Sequence, residues 1–311
     1  MSDTALNLAS NKSYDLLASH WAVAGDTYPG GPTEVSSFTI EDRIQVSAEA
    51  GFVGMGLLHA DLLAIEERIG LSRLGKLLDA AGMRHIEVEC LINWFADGDV
   101  RAASDRQRAD LLRAAEALGA RHIKVNGDLE GRQWPADRLA DEFARLCAQA
   151  DDVGAMVAIE FIPFSGIRDI AAARAIVESA GAANGKLLID TWHVARAHTP
   201  YEEVAALPAD LIAHVEIDDA PADPVGDPWV DTVHHRKLPG EGDLDVPEFL
   251  RAIAATGYDG PVGVEILSSI HRQLPLQDAA RATHASAERV FQAAGLSITS
   301  PREPSPAQNE R

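Results

Sequence analysis

Apolar residues along this chain fall into two alternating patterns. Short, dense, β-rich runs are each followed by a longer stretch in which apolar positions recur at helical spacing. The runs predict strands at Tyr14–Ala18, Val53–Leu57, His85–Cys90, His122–Asn126, Met156–Phe161, Lys186–Asp190, Ile212–Ile217 and Pro261–Ile266. The intervening stretches predict helices at Thr39–Ala50, Ala60–Ala81, Val100–Leu118, Ala136–Val153, Asp169–Ala180, Tyr201–Ala206, Val246–Ala255 and Leu276–Ala293. Several helices stop on a glycine (Gly51, Gly82, Gly119, Gly154, Gly257), where a left-handed residue closes the last turn. Most strand runs are apolar on both faces, as in a parallel sheet covered by helices. Repeated β–α alternation from residue 14 to about residue 296 predicts a single (β/α)₈ barrel, with a doubly wound open sheet as the weaker alternative. No G-x-G-x-x-G follows the first strand, which disfavours a dinucleotide-binding sheet.

Residues 1–13 and 297–311 are polar and read as flexible tails flanking the domain 14–296. Two long loops, Trp21–Ser37 and the Pro-rich Ala220–Asp245, follow strands. They are expected at the barrel face that carries active sites. The 311 residues include 48 acids against 27 Lys and Arg, a formal net charge of −21. That field disfavours nucleic acid and anionic membranes as partners. Two cysteines, Cys90 and Cys147, make no disulfide framework, and neither a signal peptide nor a membrane span is evident. A cytoplasmic protein is expected.

Four later strands end in an acid: Glu160, Asp190, Glu216 and Glu265. A lone acid after a strand is ordinarily a solvated loop residue or a helix cap. In a barrel, however, four such positions converge on one mouth. Carboxylates that close need protons or a cation, and an all-oxygen set suits a hard divalent ion such as Mn²⁺ or Mg²⁺, with Co²⁺ also open.

Five stretches carry a resemblance: Val157-Ala-Ile-Glu160, Leu188-Ile-Asp-Thr-Trp-His193, Ala213-His-Val-Glu-Ile-Asp-Asp-Ala-Pro221, His235-Arg-Lys-Leu-Pro-Gly-Glu-Gly242 and Gly260-Pro-Val-Gly-Val-Glu-Ile-Leu-Ser268. In combination and order they resemble the sugar phosphate isomerase/epimerase family with the xylose isomerase-like TIM barrel. That family includes ketose 3-epimerases, hydroxypyruvate isomerase and inosose dehydratase. The resemblance implies a metal held by Glu160, Asp190, Glu216 and Glu265, with His193 and Arg236 on substrate oxygens. Position 216 departs from the family, whose members usually carry His or Gln there. Glu216 fits by register, and His214 would take its place if the strand slipped by one pair.

His20, His59 and Glu89 follow the first three strands and are further candidates to line a substrate pocket. Cys90 reads as a buried small hydrophobe, adjacent His234 and His235 as exposed loop residues, and Gly30-Gly31 lacks the spacing of a phosphate cradle.

A divalent ion beside a carbonyl and its neighbouring hydroxyl stabilises an enediolate, with Glu160 and Glu265 as the base and acid pair. Return of the proton to the same carbon epimerises, return to the neighbouring carbon isomerises, and loss of a β-leaving group eliminates. The first expectation is therefore an isomerase or epimerase of a small keto or aldo sugar. The second is a lyase of the inosose- or dehydroshikimate-dehydratase type, or one eliminating from a 3-keto sugar or glycoside. A repair endonuclease on the same barrel would need further histidine ligands, which the third and fourth strands do not supply. A non-catalytic ligand-binding barrel would require Glu160 and Glu265 to be dispensable. Relatives often pair barrels, so a homo-oligomer stays open.

Overall fold

The computed structural model describes residues 12–299. Eight parallel strands close on themselves, which removes the open-sheet alternative: β1 (Leu16–Ala18), β2 (Gly54–Leu58), β3 (His85–Leu91), β4 (His122–Asn126), β5 (Met156–Glu160), β6 (Gly185–Asp190), β7 (Ile212–Ile217) and β8 (Val262–Val264). Strand β1 pairs with both β2 and β8, in parallel.

Around the barrel run α1 (Ile40–Ala50), α2 (His59–Ile69), α3 (Leu71–Ala80), α4 (Gly98–Leu118), α5 (Ala136–Asp151), α6 (Ile170–Ala180), α7 (Thr191–Arg196), α8 (Tyr201–Ala205), α9 (Pro228–His234), α10 (Val246–Thr256) and α11 (Leu276–Ala294). The main apolar core lies between strands and helices, where Leu57, Val88, Ile123, Ile159 and Ile189 meet Leu74, Leu111, Phe143 and Ile176. A second, small apolar patch of Ala158, Leu188 and Ala213 is separate from that core.

Three segments differ from the sequence reading. The long helix expected at Ala60–Ala81 is two helices, because Gly70 takes a positive φ of 77° and breaks the axis between α2 and α3. The Pro-rich segment after β7 contains α9, started by Asp227, whose side chain accepts from the Val230 N–H, with Pro228 at the first helical position. Ser13, Ser297 and Ile298, expected in the tails, are ordered instead, as Ser13–Tyr14 pairs in parallel with Ser297–Ile298. Residues 1–11 and 300–311 lie outside the described residues.

Asp219 pins the β7–α10 segment. Its carboxylate accepts from the N–H groups of Gly240 (2.9 Å) and Leu244 (3.0 Å), and its backbone bridges Lys237. Arg196 of α7 ties the same segment through Asp231 at 2.7 Å. The loop is therefore held in place over the barrel mouth by buried polar contacts.

Candidate active site

Strand register sets the depth of each inward side chain. Glu160 stands level with Asn126, and Asp190 stands level with Glu216. His214 pairs with Leu188, one layer deeper. There it faces Glu87 across 3.7 Å, and Glu87 accepts a 2.6 Å hydrogen bond from His122. By register Glu216, not His214, shares the layer of Glu160, Asp190 and Glu265. Gly263 makes this possible, because a Cβ there would lie 2.7 Å from His214 Nε2 and 3.0 Å from Glu216 Cγ.

Glu160, Glu216 and Glu265 each bring a carboxylate oxygen within 4.8 Å of the other two. Asp190 adjoins this group. One of its oxygens caps α7 by accepting the His193 N–H at 2.9 Å, and the other accepts from Arg236 at 3.2 Å. His193 Nε2 lies 3.3 Å from Glu160 Oε1. Asn126 donates to the other Glu160 oxygen at 2.7 Å. Arg236 also reaches Asp218 at 2.7 Å and Glu265 at 3.1 Å, and its guanidinium packs over the Trp192 ring.

Lys124 is the residue that the sequence reading missed. From β4 its ammonium contacts Glu216 at 2.9 and 3.0 Å, Glu265 at 3.0 Å and Glu89 at 3.0 Å. Its signal was a period of two: His122, Lys124 and Asn126 alternate with Ile123 and Val125 in a strand whose other face is core. Glu87 and Glu89 do the same on β3. Asp218 was likewise overlooked, two residues beyond Glu216.

The acids Glu87, Glu89, Glu160, Asp190, Glu216, Asp218 and Glu265, all buried, outnumber the fixed cations Lys124 and Arg236. Burial opposes the charge of Lys124, but Glu216, Glu265, Glu87 and Glu89 outweigh it and hold its pKa well above the usual lysine value. Burial, only partly offset by Lys124 and reinforced by Glu87 and Glu265, pushes Glu89 up to about 8. Burial also raises Glu265, against Lys124 and Arg236. For Glu160 the balance reverses: burial is outweighed by Lys124, His193 and Asn126, and its pKa falls well below the carboxylate range. A hard divalent ion fits the remaining negative charge and the all-oxygen donor set, and the buried Glu160 Oε1 has no hydrogen-bond partner of its own.

Above these groups opens a cavity of about 390 Å³. Its floor includes Glu89, Lys124, Asn126, Glu160, His193, Arg236 and Glu265, while Trp21, Leu58, Phe164, Trp229 and Leu267 form apolar walls. Of the other residues named from sequence, His59 lines the rim and pairs with Asp110 at 3.1 Å. Asp190 and Glu216 lie beneath the cavity surface. His20 does not line it: fully buried, it faces Arg43 and Asp61 behind the wall, because Trp21 turns into the cavity in its place. Cys90 contacts Asn126 at the cavity edge, and His234 accepts from Arg272 at 3.0 Å.

With barrel and mouth described, comparison with known proteins decides the family. A family model described as xylose isomerase-like TIM barrel matches residues 44–288. The chain belongs to this family. It is 26% identical over 247 residues to a 3-dehydroshikimate dehydratase of Pseudomonas aeruginosa, covering 77% of this chain and 38% of that one. It is 32% identical over 179 residues to a putative hydroxypyruvate isomerase of Streptomyces coelicolor, covering 52% of this chain and 59% of the relative. The chain thus spans less than two thirds of the length of either relative. Among solved structures, the IOLI protein with a bound zinc atom shares the fold at a TM-score of 0.76 and 17% identity, over 90% of this chain and 99% of that one. Family members include isomerases, epimerases and dehydratases. No helix among the described residues is long and apolar enough to cross a membrane.

Proposed function

We propose that this protein is a divalent-metal-dependent isomerase or epimerase of a small keto or aldo sugar, acting by proton transfer next to a carbonyl. The observation that carries the reading is the placement of Glu160 and Glu265 on one cavity floor, with surroundings that push their pKa values in opposite directions. Glu160, ionised, removes the proton; Glu265, more readily protonated, returns one. His193 and Arg236 border the same space and orient substrate oxygens. The walls of Trp21, Phe164 and Trp229 limit water around the reacting carbon.

Glu160, Asp190, Glu216 and Glu265 are the candidates to hold the ion, and Mn²⁺ or Mg²⁺ matches their hard oxygen donors. When bound, it supplies Lewis-acid stabilisation of the oxyanion that forms at the carbonyl. The zinc atom in the IOLI structure supports a divalent metal on this fold.

Likeness to a 3-dehydroshikimate dehydratase over 77% of the chain favours a second reading, elimination after the same first proton removal. A panel of small keto sugars and cyclic ketones, assayed with and without chelator, separates these readings. Product of unchanged composition, lost with chelator and restored by Mn²⁺, is expected. Release of water or an aglycone would establish the lyase, and full turnover in chelator would remove the metal.

A further inference from the structure

Lys124 crosses the barrel from β4 and places its ammonium against acids carried by β3, β7 and the end of β8. Its contact with Glu216 differs from the others: both carboxylate oxygens lie within 3.0 Å of Nζ. Ser19 donates a third hydrogen bond to the same carboxylate, at 2.8 Å to Oε1. Glu216 is completely buried and absent from the cavity lining, whereas Lys124 is part of it. Seen from the cavity, the ammonium thus stands in front of Glu216. An ion that used Glu216 would sit beside a fixed positive charge and compete with it for both oxygens. Glu160 is the opposite case: it lines the cavity, and among the described residues no lysine or arginine lies within 4 Å of its carboxylate, whose neighbours are Asn126 at 2.7 Å and His193 at 3.3 Å.

We propose that Lys124 is a resident cation of this mouth and that Glu216 is its counter-ion, not a metal ligand. The inference builds on the metal-dependent reading above and narrows its ligand set. It accounts for an acid at position 216: a carboxylate there accepts from the buried ammonium with both oxygens, which a neutral side chain would not do. Lys124 acts as a positioning residue, since it also fixes Glu265 Oε1 at 3.0 Å.

Calorimetric titration of the full chain with Mn²⁺ tests this. Replacing an open ligand, Glu160→Gln, is expected to weaken Mn²⁺ by at least about tenfold, whereas Glu216→Gln stays within about threefold of wild type. Lys124→Met frees Glu216 and removes the competing charge, and is expected to tighten Mn²⁺ by roughly tenfold or more. A Glu216→Gln loss equal to that of Glu160→Gln, with no gain in Lys124→Met, would overturn the assignment. Because Lys124→Met alone leaves buried acids uncompensated, thermal melting of both single variants and the Lys124→Met/Glu216→Gln double variant supplies an independent reading. Coupling requires the double variant to melt above Lys124→Met; strictly additive losses would sink the pairing. If wild type takes up no Mn²⁺, Mg²⁺ or Zn²⁺, the metal reading itself fails, while the melting cycle still decides the Lys124–Glu216 pair.

Discussion

Glu160 and Asp61 show how differently two buried acids can serve the same barrel. Glu160 lines the cavity with only Asn126 and His193 beside its carboxylate, whereas Asp61 spends both oxygens on structure, accepting from Arg43 at 2.5 Å and from the Ser36 N–H at 2.9 Å. Glu160→Gln keeps shape and removes the base. It should lower kcat by about 10²–10⁴-fold with little change in the melting temperature, measured by steady-state assay and thermal denaturation. Asp61→Asn leaves the Arg43 charge buried and unpaired, and should cost about 3–5 kcal/mol in chemical denaturation. Burial opposes the Asp61 charge, but Arg43 and His20 outweigh it and hold its pKa below the ordinary value. The unfolded chain thus binds this proton more readily than the folded one. The stabilisation is full above about pH 4 and is lost as pH falls through the lower folded pKa. Stability curves of Asp61→Asn should therefore flatten on the acid side. At this scale, the strand-end acids could be read from sequence because each closes an apolar run. Lys124 was only half legible: the alternation of His122, Lys124 and Asn126 puts it on the inner face, but its distances to acids of β3, β7 and β8 lie outside any local pattern. His20 shows the opposite error: a polar residue after a strand looked like a pocket residue, yet a neighbouring Trp takes the cavity and the imidazole turns inward.

Elements were most legible where one signal dominates. His122–Asn126 and Ile212–Ile217 match the expected strands end to end, since turn residues and apolar density agree there. The helix expected across Gly70 divides because one positive φ outweighs continuous helical spacing on either side. Helix α9 was hidden in a Pro-rich stretch whose composition suggests loop, although its Asp cap and N-terminal Pro are helix starts in themselves. The segment around α9 brings Trp229, Thr232, Val233 and Arg236 to the cavity, and Asp219 is its anchor. Asp219→Ala removes the acceptor for three backbone N–H groups of this segment, those of Ala220, Gly240 and Leu244. Hydrogen exchange of residues 237–244 should accelerate by an order of magnitude or more, with KM rising more than kcat falls. Unchanged protection in that stretch would show that Arg196 and Asp231 hold it without Asp219.

At the scale of the whole molecule, the acidic balance has a local meaning. Most of the net −21 lies on solvated surface, but a dense share is concentrated inside the barrel, where Lys124, Arg236 and shared protons compensate only part of it. The barrel interior is built as a polar column, with apolar packing moved to the layer between strands and helices. That arrangement suits a site that holds charge and moves a proton, and under the proposed function Glu160 and Glu265 are its acting pair. Incubation with keto sugars in deuterium oxide, followed by NMR of substrate and product, measures that proton transfer directly. Deuterium is expected at the carbon next to the carbonyl, with incorporation abolished in both Glu160→Gln and Glu265→Gln. Turnover that leaves this carbon unlabelled, or labelling undiminished in both variants, would contradict proton transfer by these two acids.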